Sequence, residues 1–461
     1  MQQNTRMSQR EYRAGCGTVA PGPTLRLVDA IALIMGLVVG AGIFRTPSLV
    51  AANAGSATAV IWAWVLGGGV SLIGALCYAE LATAYPHAGG DYHFLRRAFG
   101  KNLALLFAWA RIMVMQTGSI ALLAFVCSDY ATQILPLGSG SPTIYAALLV
   151  VLLTSLNLLG LRHGKWAQNF LTTIEVCGVL LVIGSGLMVA TPAAAPPHAI
   201  WPVEHVSGEA PAGSWGLMMI FVLLTYGGWN EAAYMSAEIT GRRRTLVWAL
   251  VWSLGMITGL YVLVNWAYLR GLGLAGMAAS EAVATTLMQH AIGEHGAYVI
   301  SALIALSALA SANATIITGA RTAYALGRDF PRFAALGRWH TRANTPTNAL
   351  LVQGSIVLAL VLLGCATRRG FEAMVAYTAP IFWLFLLLTG VSLLLLRWRE
   401  PEILRPFRVP CFPILPVAFC ATSAYMLYAS LAYTGIGAVV GVAVLVAGVP
   451  LVLLTRHQQP A

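Results

Sequence analysis

Charged side chains are scarce in this sequence, making up 9% of its 461 residues, where a soluble domain carries roughly a quarter. So few charges cannot cover a surface that faces water, which excludes a soluble globular protein. Strand-length alternation is missing as well, and that excludes a membrane β-barrel. The zinc-protease HExxH, the GxSxG elbow, the Walker glycine loop and the CxxCH motif are all absent, and the nine histidines are scattered. Enzyme chemistry, a metal site and a cofactor are therefore not expected. Seven cysteines, Cys16, Cys77, Cys127, Cys177, Cys365, Cys411 and Cys420, form no CxxC pair; buried thiols inside helices are expected rather than a disulfide framework. The formal charge of +11 is not gathered into one patch, so no nucleic-acid partner is expected.

What is present is apolar and comes in long blocks: 58% of residues are hydrophobic and the mean hydropathy is +0.76. The blocks run to helix length, so the expected fold class is an all-α polytopic membrane protein of about twelve helices. They lie near 28–52, 58–85, 101–134, 142–161, 169–190, 213–238, 246–269, 297–326, 347–365, 372–396, 413–432 and 435–455. The segment 1–26 is polar and Arg-bearing. The block after it is too long for a signal peptide and is expected to stay as a span. With the N-terminus inside, only Arg270, Arg368 and Arg369 fall in outer loops, Arg45 and Arg111 fall within spans, and the other 22 of 27 Lys and Arg lie inside. That asymmetry predicts cytoplasmic termini and an even number of spans. Two outer loops are long: Thr191 to Gly213, with Glu204 and Glu209, and Leu272 to Gly296, which has the makings of short surface helices.

Two blocks are interrupted near their middles. The first reads Gly40-Ala41-Gly42-Ile43-Phe44 and the sixth Thr225-Tyr226-Gly227-Gly228-Trp229-Asn230-Glu231. Glycine weakens a helix by roughly 1 kcal/mol and admits backbone conformations closed to other residues. Either run alone would read as close helix packing. Five spans apart, they cross the membrane in opposite directions, and paired interruptions of this kind point to the central site of a transporter. A half-helix starting after Gly42 offers free N–H groups to a carboxylate. Carbonyls freed around Leu224, Thr225 and Tyr226 accept from an ammonium, and a zwitterionic amino acid carries both groups.

These segments resemble the amino acid–polyamine–organocation superfamily, and within it the L-type amino acid transporter group. Gly40-Ala41-Gly42-Ile43-Phe44 is similar to that family's GSGIF, and Tyr226-Gly227-Gly228-Trp229-Asn230 to its YGGWN. Glu80-Leu81 with Pro86-His87-Ala88-Gly89-Gly90-Asp91-Tyr92 resembles its PxxGGxY loop, and Arg405-Pro406-Phe407-Arg408-Val409-Pro410 its RPFRVP. The resemblance implies a five-plus-five inverted-repeat core with two further helices: a tail over 1–26, a first repeat over 27–190, an outer loop over 191–212, a second repeat over 213–396, and two last spans over 397–461. It implies a secondary amino acid transporter working by alternating access in a bacterial inner membrane. Backbone at Gly40, Ala41, Gly42 and Ile43 would hold the substrate carboxylate, backbone at Leu224, Thr225, Tyr226, Gly227 and Gly228 the amine, and Asn230 would sit beside the substrate. Leu224 takes the position of a substrate lid; Trp229, Glu80 and Glu238 are further gate candidates. Some relatives are disulfide-linked to a glycoprotein through a cysteine after span three. The loop Leu135 to Pro142 has none, so no such partner is expected.

Ionisable residues at membrane depth are functional candidates by default. The family's fifth span carries QxxxTxxK. Gln168, Thr172 and Glu175 occupy that spacing here, placing an acid where the lysine should be. Glu175 then reads as a proton carrier, as a cation ligand, or as the structural partner of Arg111, which reads alternatively as a snorkelling side chain. Glu231 faces either the site or a vestibule. Arg45 is expected beside the outer vestibule, and Glu80, Glu238, Arg321 and Asp329 near inner helix ends. Thr315 and Thr318 offer hydroxyls where sodium-using relatives place ligands, against the plainer expectation that they bond their own helix. Small neutral or aliphatic amino acids are the first substrate class; basic amino acids or polyamines follow if Glu175 or Glu231 faces the site. Exchange and proton symport both stay open, and a sensor that binds without transport is the rival class.

Overall fold

Residues 27–87, 89–138, 140–159, 165–189, 214–235, 245–330, 333–340, 345–366, 369–432 and 435–456 are described by a computed structural model. Among them the regular structure is helical, with one isolated bridge between His340 and Thr345. The chain is an all-α polytopic membrane protein. Eight of the described helices are long and apolar enough to cross a bilayer, nine if a bent pair counts as one span. Three shorter apolar helices, Glu175–Met188, Trp215–Thr225 and Ile436–Pro450, fall in the fifth, sixth and twelfth hydrophobic blocks. The lipid-facing surface follows from composition: Leu148, Leu152, Leu180, Trp252 and Leu362 are more than half exposed or close to it, as bilayer contact favours and water does not.

The first block is two helices, α1 (Leu27–Val38) and α2 (Gly42–Ala52). They meet at an angle of 49°. Next come α3 (Ala57–Ala84), capped by the Ser56 hydroxyl on the Ala59 amide, and the short α4 (Gly90–Phe99). The third block divides into α5 (Lys101–Ala110), a π-helical turn over Arg111–Gln116, and α6 (Thr117–Ile134). It is followed by α7 (Ser141–Leu158) and α8 (Lys165–Met188). The sixth block is again interrupted: α9 (Trp215–Thr225) ends in a turn and continues as a 3₁₀ helix over Trp229–Met235. The remainder is α10 (Thr245–Ala279), α11 (Val283–Ile292), α12 (Glu294–Asp329), α13 (Thr347–Ala366), α14 (Gly370–Arg399), α15 (Ile414–Ala432) and α16 (Ile436–Arg456). In the long loop after the seventh block, α10 kinks at Gly273 (φ +68°) and α11 follows. Residues 1–26, the loop 190–213 with Glu204 and Glu209, and Glu238 lie outside the described residues.

The centre is held by close packing. α10 lies against α1, α2, α3 and α8, while α12 packs along α6, and α14 along α15 and α16. Small residues on α3 permit this approach: a Cβ on Gly68 would run into Thr258 of α10, and one on Gly67 into Val222 of α9. The cysteines depart from expectation. Cys77 and Cys127 are buried, but Cys177, Cys365 and Cys411 are exposed and Cys420 is intermediate. Thiols are small enough to sit on a lipid-facing surface at little cost, so burial does not follow from being inside a span.

Candidate functional site: two helices broken side by side

α2 packs against α9, and α1 against the 3₁₀ helix. The two interrupted spans therefore pass each other antiparallel, with their breaks at the same level. In the first, the Val39 amide still donates to the Met35 carbonyl at 2.7 Å, and Ile43 and Phe44 reach back only three residues, to Gly40 and Ala41. The amides of Gly40, Ala41 and Gly42 donate to no carbonyl among the described residues. A Cβ on Gly40 would meet nothing within 4 Å, whereas one on Gly42 would touch Thr225 and Ala41 is buried, so the open space lies at Gly40. In the second, Tyr226 closes the last turn on Val222 and Gly227 folds back to Leu224 at 3.0 Å. Gly228 then takes φ +109°. That conformation is open to glycine and costly for any other residue.

Three contacts lock the breaks together. The Gly228 Cα lies against the backbone of the first break, where an added Cβ would collide with the Leu37 carbonyl oxygen. The Thr46 and Thr225 hydroxyls are 2.7 Å apart. The Tyr261 hydroxyl of α10 sits 2.9 Å from the Val38 carbonyl and 3.3 Å from that of Thr225. It satisfies the C-terminal end of α1 at the point where the helix stops, which a buried helix end requires.

The candidate residues fall into distinct places. Gly40, Gly42, Leu224, Gly227 and Gly228 are partly exposed at the breaks, while Ala41, Ile43, Thr225 and Asn230 are buried beside them. The Tyr226 ring turns away: its hydroxyl donates to the Trp64 carbonyl at 2.9 Å and it packs on Trp64 and Tyr261. Only its backbone reaches the break. Trp229 is packed edge-on between Tyr78 and Phe419. A void of about 10 Å³ lies beside it and Gly227, room for about one water.

The ionisable residues are arranged differently from one reading given above. Arg111 does not pair with Glu175. Its guanidinium contacts both carboxylate oxygens of Glu231 at 3.0 Å. Glu175, 6% exposed, accepts from the Ser307 and Ser311 hydroxyls of α12, and no basic group pairs with it among the described residues. Two like-depth residues in different helices need not share a facing direction, and a π turn at Arg111 rotates that residue relative to a regular helix. The side chains of Gln168, Thr172 and Asp329 lie outside the described residues, and Arg321 is exposed. Thr315 and Thr318 bond carbonyls of their own helix, Ser311 for the first and Ala314 and Thr315 for the second. Glu80 is fully buried, accepting from Arg397 at 2.9 and 3.0 Å and from the Val409 amide at 2.7 Å, with Arg405 at 3.5 Å. Arg45, on α2, reaches Asp129 of α6 at 3.2 Å and Glu372 of α14 at 3.6 Å. Thr46, Asp129, Tyr261 and Glu372 carry no local sequence signal that singles them out.

Paired interruptions of two antiparallel spans are the arrangement found at the central sites of membrane transporters. The chain belongs to the amino acid permease family, whose match covers residues 25–454; proteins of that family are transporters. It is similar to the human Asc-type amino acid transporter 1, with 30% identity over 95% of this chain and 83% of that protein. The human large neutral amino acids transporter small subunit 2 is 30% identical over 97% of this chain and 83% of its own length. The rat b(0,+)-type amino acid transporter 1 is 29% identical over 87% and 81% respectively.

Proposed function

We propose that this chain moves small neutral amino acids across a bacterial cytoplasmic membrane by alternating access, with the substrate gripped by main chain between the two breaks. The observation that carries this reading is the run of amides Gly40-Ala41-Gly42 that donate to no carbonyl among the described residues, with open space at Gly40. The amides at the start of α2 take the carboxylate, helped by the positive end of that helix. Carbonyls at the end of α9, near Leu224 and Thr225, take the ammonium. Asn230 lies next to the substrate, and Leu224 covers it. The antiparallel crossing fits two inverted repeats over 27–190 and 213–396, with both termini cytoplasmic.

Neutral substrates are favoured over basic ones because Glu231 is already matched by Arg111 at 3.0 Å, so the vestibule gains no net negative charge from it. The relative named for large neutral amino acids supports the neutral charge of the substrate, though not its size. Glu175 stands apart as a buried acid without a counter-charge and is the group through which a proton would enter the cycle.

Reconstitution into proteoliposomes tests the reading. Labelled alanine and leucine should accumulate inside or exchange with preloaded substrate, and neutral amino acids should compete while lysine and putrescine should not. Binding without accumulation would make the protein a sensor and end the proposal.

A further inference from the structure

We propose that the chain carries a headgroup site for an anionic glycerophospholipid on its cytoplasmic flank, between the first turn of α10 and the segment Arg405–Arg408. A cavity of about 440 Å³ lies there, lined by Val247 and Trp248 on one side and by Arg405, Pro406, Phe407 and Arg408 on the other. Its floor is rigid. Arg405 donates to the carbonyls of Leu396, Glu400 and Ile403 at 2.9–3.1 Å, and the Val409 amide is fixed on Glu80 at 2.7 Å.

The floor is also positive. The single Glu80 carboxylate serves both Arg397 and Arg405, leaving one charge over. Glu400 is taken by Arg97 and Tyr85, and the exposed Glu402 is outnumbered by the exposed Arg399 and Arg408 of the same stretch. Arg408 is exposed and makes no salt bridge among the described residues. Basic pockets on the cytoplasmic side of a helical bundle take phosphate headgroups.

A free phosphate would need only the charge. The cavity instead opens onto an apolar track: Trp248, Trp252 and Met256, at 53%, 56% and 43% exposure, follow one another at four-residue spacing and so share one face of α10. Indole rings favour the headgroup level of a bilayer, and the track beyond Trp248 suits an acyl chain. Phosphodiester and acyl chain together select a phospholipid.

Native mass spectrometry of the full chain in detergent tests this, with palmitoyl-oleoyl phosphatidylglycerol, the phosphatidylcholine of the same chains, and inorganic phosphate as probes. Wild type should retain phosphatidylglycerol over phosphatidylcholine, and millimolar inorganic phosphate should not displace it. Arg408→Ala should lower phosphatidylglycerol occupancy about five-fold, the worth of one arginine near an anionic surface, and Arg408→Lys should keep most of it. Arg338→Ala, at an exposed arginine on the loop after α12, should change nothing. The proposal is overturned if Arg338→Ala costs as much as Arg408→Ala, if Arg408→Ala costs nothing, if the two lipids bind alike, or if phosphate alone displaces the lipid.

Discussion

The hydroxyls of Thr46 and Thr225 lie 2.7 Å apart and join the two broken helices at their breaks. Each also faces a carbonyl of its own helix, Gly42 at 2.9 Å and Phe221 at 2.8 Å. Three contacts share two protons, so one contact always lacks a donor and the bridge is easily exchanged. Thr225→Val keeps the shape and removes the link, and should cost about 1 kcal/mol. A double-mutant cycle with Thr46→Val, read by thermal melting, should return a coupling of roughly 0.5–1 kcal/mol. Strict additivity would mean that the hydroxyls do not bond.

Two glycines at the breaks should behave oppositely on substitution. Gly228→Ala places a Cβ against the Leu37 carbonyl and forces φ +109° on an alanine. It should lower stability by about 1–3 kcal/mol and abolish uptake together. Gly40→Ala meets no atom within 4 Å. It should leave the melting temperature nearly unchanged while cutting uptake at least ten-fold, because the methyl enters the space proposed for the substrate carboxylate. Normal uptake by Gly40→Ala would place the substrate elsewhere.

The breaks were legible in the sequence because two interrupted blocks lie five spans apart and so cross in opposite directions; a glycine run alone is no such signal, since Gly67-Gly68-Gly69 lies within the unbroken α3 and serves packing. The helices were legible because blocks bounded by charge or Pro/Gly have one physical solution in lipid. The π turn over Arg111–Gln116 was not, since Arg-Ile-Met-Val-Met-Gln has the composition of any apolar helix. What makes it visible is tertiary: the Tyr377 hydroxyl, on α14, accepts its place by donating to the Met113 carbonyl at 2.8 Å. The choice of Glu231 over Glu175 as partner of Arg111 depends on helix rotation, which hydropathy does not record. Tyr261 reads as one more aromatic in an apolar block, and only the assembled bundle brings its hydroxyl to Val38 and Thr225.

Glu175 accepts from Ser307 and Ser311 with no cation beside it, and a buried charge with hydroxyl partners alone is costly. Glu175→Gln keeps an acceptor for the serines and removes the charge, so it should melt no lower than wild type and should flatten the pH profile of net uptake. Glu175→Lys should lower the melting temperature, since it places an ammonium among the same hydroxyls without a counter-ion. An unchanged pH profile and ion dependence in both variants would make Glu175 structural.

On the loop side of α3, the His87 and His93 rings stack at 4.2 Å. Burial, the neighbouring His87, and then Arg97 and Arg96 push His93 down to about 4; burial and Arg96 lower His87 as well. The folded state therefore prefers both rings neutral. Between the ordinary histidine value near 6.5 and about 4, the unfolded chain binds protons that the folded chain refuses, so stability should fall as pH drops through that window. His93→Gln should reduce this loss in melting experiments run from pH 7 to pH 4.5. The effect should be modest, because both rings are only partly buried and solvent screens them.

In the proposed mode of transport, the Arg111–Glu231 pair sets the charge that a substrate meets on leaving the breaks. Arg111 is 9% exposed, and its partner's side chain is 35% exposed, so the acid is the member of the pair that open space reaches. Removing the base frees a negative charge there; removing the acid takes a carboxylate from a buried guanidinium. Arg111→Gln should therefore keep a folded protein and shift competition toward lysine and arginine, by about five-fold or more if one uncompensated charge contributes ~1 kcal/mol to substrate preference. Glu231→Gln should lose more than ten-fold in uptake of every substrate, because it takes from the buried Arg111 guanidinium the carboxylate it meets at 3.0 Å, at a cost of roughly 3 kcal/mol when burial is complete and less here. The double variant Arg111→Gln/Glu231→Gln should recover neutral amino acid uptake beyond Glu231→Gln alone. A panel of labelled alanine, leucine and lysine across the three variants reads all of this at once. Equal selectivity in Arg111→Gln and wild type would remove the pair from the substrate path and leave it a helix-to-helix tie.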